Sequence, residues 1–151
     1  NIEKDLKGSR ELYIEALKGD PPYLSSCESA VLIHIRMDRP ESALEIARWA
    51  NVERGCPPTP LFNDITMAAM AYAGEYDRVQ KTFSRSTGSA TLTPAAVLAY
   101  AAIRRDAAGA QSLLSKSPHP QRQLEEAIRF VEDVLKDAST ANWLRAGTTP
   151  L

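Results

Sequence analysis

Only two cysteines, Cys27 and Cys56, and two histidines, His34 and His119, occur in the 151 residues. Their spacing fits neither a zinc site nor a disulfide framework, so no metal and no cofactor is expected. The thiols read as buried free cysteines in a reducing compartment, and the histidines as structural groups satisfied by neighbours. An excess of one charge is also missing: 18 Lys and Arg stand against 19 Asp and Glu, interspersed as on a solvated helical surface. A domain that lives on phosphate contacts carries a basic stripe or surplus, and none is here. No apolar run approaches the ~20 residues that cross a bilayer. The start lacks the charged-then-apolar build of a secretory signal. Neither a phosphate-cradling glycine loop nor a nucleophile motif occurs, so an enzyme is not expected. Runs of β-branched or aromatic residues at strand length are scarce, which disfavours sheets.

What remains is an apolar content supplied mostly by Ala, Leu, Ile and Met at helical spacings. That pattern predicts an all-α fold in a single domain over residues 1–151. Ile2, Leu6, Tyr13, Ile14 and Leu17 predict a lead-in helix over 2–18, ended by Gly19-Asp20-Pro21-Pro22. From Ser25 the residues Ala30, Val31, Ile33, His34 and Met37 predict a helix A. Asp38 is read as the cap of a helix B that opens with Pro40 and Glu41 and runs to about Arg54. Gly55, Pro57, Pro58 and Pro60 stop it.

The segment around Ala73-Gly74-Glu75 superimposes on Met37-Asp38-Arg39 after a shift of 36 residues, and Arg104-Arg105-Asp106 on Ala73-Gly74-Glu75 after 31. Periods of this size mark stacked helix pairs. Repeats are therefore predicted over about 24–55, 60–86 and 93–116. Leu61 to Ala73 and Tyr76 to about Arg85 form the second pair, and Pro94 to Arg105 and Ala107 to Lys116 the third. A capping helix follows over 121–137, with Leu124, Ala127, Ile128, Val131 and Leu135 on one face. Asn142 to Leu151 reads as a tail in which Trp143 and Leu144 tuck back.

Candidate functional residues are few. Asp38 with Glu41, and Glu125 with Glu126, are carboxylate pairs at helix starts, where capping and the helix dipole account for them. Arg36, Arg39, Arg104 and Arg105 lie near the ends of A helices and are read as solvated residues suited to the negative end of the dipole, with contact to phosphate or an acidic protein patch as the alternative. Trp49 and Trp143 are large aromatics outside a regular seam and are read as packing between helices or under the tail, with anchoring of a partner as the functional alternative.

Arg39-Pro40-Glu41-Ser42-Ala43-Leu44-Glu45-Ile46, Glu53-Arg54-Gly55-Cys56-Pro57-Pro58 and the pair Phe62-Asn63 together resemble the pentatricopeptide repeat family, most densely from Ser26 to Phe83. The fixed aromatic and glycine of a tetratricopeptide unit do not recur. The resemblance implies a right-handed α-solenoid of about three helix pairs with flanking terminal helices. In that family a polar residue early in helix A can read one RNA base. Asn63 or Asp64 fits that place in the second repeat. Its counterparts, Cys27 or Glu28 and Pro94 or Ala95, do not supply the same hydrogen bonds. One base contact is worth about 1–3 kcal/mol, too little for useful affinity without a basic groove.

The resemblance thus implies a non-catalytic accessory subunit that docks on a partner protein, with Asn63, Asp64 and Met67 expected as exposed contacts. Short family members serve mitochondrial complexes in this way, and the F1 sector of ATP synthase in euglenozoan mitochondria is the expected partner. A matrix location, peripheral to the inner membrane, follows from that expectation. The alternatives are an organellar RNA-binding adaptor or a mitoribosomal protein, and beyond these a hydrolase with hidden residues.

Overall fold

The structure, a computed structural model, describes residues 24–50, 59–74 and 93–147, together with Gly8, Glu11 and Glu15, which are helical. Seven α-helices and no strand occur among the described residues. They are α1 (Leu24–Arg36), α2 (Pro40–Arg48), α3 (Pro60–Ala73), α4 (Pro94–Ile103), α5 (Ala107–Lys116), α6 (Pro120–Arg129) and α7 (Ala138–Gly147). A π-helical segment, Phe130–Val134, continues α6. The chain divides into two compact units, Asn1–Thr91 and Leu92–Leu151. The rest of the predicted lead-in helix, the Gly55 to Pro58 turn and the second helix of repeat two lie outside the described residues.

Proline opens four of these helices, at Pro40, Pro60, Pro94 and Pro120, where its missing amide donor costs little and its fixed φ suits the first turn. Thr59 caps α3 by accepting from the Phe62 amide at 3.1 Å, and Thr93 caps α4 by accepting from the Ala96 amide at 3.2 Å. Hydroxyl caps of this kind are each worth about 1 kcal/mol.

In the first unit α1 packs against both α2 and α3, and α2 also packs against α3. Val31, Ile33 and Ile35 of α1 meet this core with Ala43 and Ala47 of α2 and Phe62, Ile65, Met67 and Ala68 of α3, all buried. Full burial of a side chain such as Phe62 or Ile65 contributes about 1.5–3 kcal/mol. In the second unit α4 packs against α5, α6 and α7. Its Ala95, Ala96, Leu98, Ala99, Ala101 and Ala102 are buried, so the helix is apolar nearly all round, as a central helix must be. Alanine supplies most of the buried apolar positions in both units, leaving little side chain between neighbouring backbones.

Four turns among the described residues are each closed by a residue in the left-handed conformation. Asp38 has φ +55°, Gly74 φ +74°, Arg105 φ +57° and Lys136 φ +59°. After α1, the Asp38 amide donates to the Ile35 carbonyl at 3.0 Å and the Arg39 amide to the His34 carbonyl at 2.9 Å. After α4, the Arg105 amide donates to Ala102 at 3.0 Å and the Asp106 amide to Ala101 at 2.9 Å. Both are Schellman closures, which satisfy the last helical carbonyls through one left-handed residue. Gly74 makes the corresponding 3.2 Å bond to Ala71, and as glycine it takes this conformation without a Cβ penalty.

Two expectations are corrected here. Asp38 does not cap α2: it occupies the left-handed position, and Arg39 is the N-cap, without a side-chain hydrogen bond. Aspartate tolerates that conformation better than most residues, which explains its place in the turn. Residues 142–147 are not a tail but part of α7, and Leu144 is fully buried. Lys136 and Asp137 thus open a fourth turn-and-helix unit, 31 residues beyond Arg105 and Asp106. The Asp106 carboxylate accepts from the Gly109 amide at 2.9 Å, and the Asp137 carboxylate accepts from the Thr140 amide at 3.0 Å.

Candidate functional site

The residues expected to meet a ligand in the first unit lie at the start of α3. Phe62 points into the core, so its neighbours are carried to either side of the helix–helix seam. Asp64 and Met67 are buried, at 5% and 4% exposure, and do not form an exposed contact surface. Asn63 is half-buried, and its Nδ2 is enclosed without a hydrogen-bond acceptor. An enclosed donor without an acceptor costs about 1–3 kcal/mol, and this amide is the one such side-chain group among the described residues.

Glu28, the counterpart of Asp64 in the first repeat as Cys27 is of Asn63, accepts from the Thr59 hydroxyl at 3.0 Å. Thr59 thereby joins the first turns of α1 and α3 while it caps α3. The side chain of Cys27 lies outside the described residues. In the third repeat Pro94 is exposed and Ala95 buried, so neither offers a polar edge. The structure therefore brings the Glu28–Thr59 pair and Asn63 into one region of the first unit, and supplies no matching set in the second.

His34 is buried at 1% exposure, and its Nδ1–H donates to the Ala30 carbonyl at 2.7 Å. That satisfies a core histidine through the preceding helical turn. No cluster of metal-ligating side chains is present among the described residues. Trp49, at the end of α2, and Trp143, within α7, are both half-buried. The Arg105 guanidinium lies 5.8 Å from the Trp143 ring centroid, within range of a cation–π contact.

Arg105 also donates to the Ala102 carbonyl at 2.7 Å, to Thr140 Oγ1 at 2.9 Å and to Ser139 Oγ at 3.1 Å. It is thus a bracket between the turn after α4 and the first turn of α7, not a free cation at a helix end. Sequence reasoning gave Arg105 a dipole role or an outward contact with phosphate or an acidic patch, and missed this bracket. The signal that was available is the polar pair Ser139-Thr140 one repeat later.

The carboxylate pair Glu125 and Glu126 is answered one helical turn back. Glu126 pairs with Arg122 at 3.0 Å and Glu125 accepts from Gln121 at 3.2 Å, so these are surface i,i+4 contacts rather than helix-start caps. Glu132 pairs with Arg145 at 2.8 Å. The hydrogen bond from Arg145 holds the Glu132 carboxyl below the ordinary glutamate range, and the same bond raises Arg145.

One cleft, of about 390 Å³, opens in the second unit where the start of α4, the end of α5 and the start of α6 meet. Leu113 and Pro118 give it an apolar wall, while Lys116, His119, Arg122 and Gln123 give it polar groups. Sequence reasoning missed it, because its parts come from three helices and from a loop read only as punctuation. No described helix is long and apolar enough to cross a membrane. No family model, no curated protein and no solved structure matches the chain.

Proposed function

We propose that the chain is a helical-repeat docking module: a non-catalytic accessory subunit whose helix pairs stack and present a surface to a partner protein. The observation that carries this reading is the recurrence of one closing turn, with left-handed residues at Asp38, Gly74, Arg105 and Lys136 spaced 36, 31 and 31 residues apart. Proteins built from helix pairs at such an interval act through extended surfaces.

Protein contact is favoured over RNA contact by charge and by the geometry of the base-reading places. Net charge is −1, Glu28 is engaged by Thr59, and Ala95 is buried. One enclosed amide, Asn63, does not make a reading frame. The resemblance to pentatricopeptide proteins extends the proposal to a mitochondrial complex, with the F1 sector of ATP synthase as the first assembly to examine and the mitoribosome as the second.

Titration of the purified chain with random single-stranded RNA at low and at physiological salt tests the choice. Weak binding that disappears at physiological salt is expected. Tight binding with a steep salt slope would replace this reading with an RNA adaptor.

A further inference from the structure

We draw no further inference here: the strongest candidate, the half-buried stripe of Asn63, Thr66 and Met70 along α3 with its enclosed and unpartnered Asn63 Nδ2, belongs to the site already described, and nothing in the structure shows what covers it.

Discussion

Arg105, held at φ +57° in the turn after α4, donates to Thr140 Oγ1 in the first turn of α7 across 2.9 Å. The same guanidinium reaches Ser139 Oγ and the Trp143 ring, so a residue that local sterics disfavour in this conformation is kept there by what its side chain holds.

The contrast with Lys136 gives a prediction. Lys136 has the same left-handed conformation and is exposed. Lys136→Gly removes the Cβ clash and should stabilise the fold by about 0.5–1 kcal/mol. Arg105→Gly relieves the same clash but loses the bonds to α7, and should destabilise by about 1–2 kcal/mol. Urea unfolding of the two variants checks the opposite signs.

Thr59 caps α3 and also donates to Glu28. Thr59→Ala should cost clearly more than the roughly 1 kcal/mol of a hydroxyl cap alone. Denaturant midpoints at unchanged slope measure this, and the same loss in a Glu28→Ala background would show that the Glu28 bond contributes nothing.

At Gly109 the usual benefit of alanine in a helix should be absent. A Cβ there would fall 2.7 Å from the Asp106 Cγ, displacing the carboxylate that caps α5. Gly109→Ala should therefore lower stability, where an open helical site would gain up to about 1 kcal/mol. In an Asp106→Ala background the same change should recover that gain, as a double-mutant cycle by urea unfolding would reveal.

Glu132 sets a pH dependence. Its folded-state pKa is depressed by the Arg145 hydrogen bond, so the stability it contributes is complete above the unfolded-state value and is lost as pH falls through the folded-state value. The stability difference between the wild type and Glu132→Gln should be constant near neutrality and vanish in acid below the ordinary glutamate range. Chemical denaturation at a series of pH values reads it directly.

Proline made two helix starts legible, Pro40 and Pro94, whereas Pro60 was read only as a stop and Pro120 only as punctuation, though both open helices in the structure. The turn at Gly74 was legible because a glycine marked it, whereas Asp38, a residue equally suited to a cap, was read as one. The fourth was hidden because lysine is not a residue expected at positive φ, and without that turn Asp137 could not be recognised as a cap nor residues 138–147 as a helix. Asp64 and Met67 were misread as exposed because α3 is apolar around most of its surface, so its sequence has no polar stripe to show which side faces water.

The most direct measurement is isolation of the native protein under mild conditions, with its apparent mass set against the 16.6 kDa of the chain and its cross-linked neighbours identified. A docking subunit should migrate well above that mass and cross-link to a defined partner polypeptide. Recovery of the chain alone, as a monomer, under every mild condition would contradict the account.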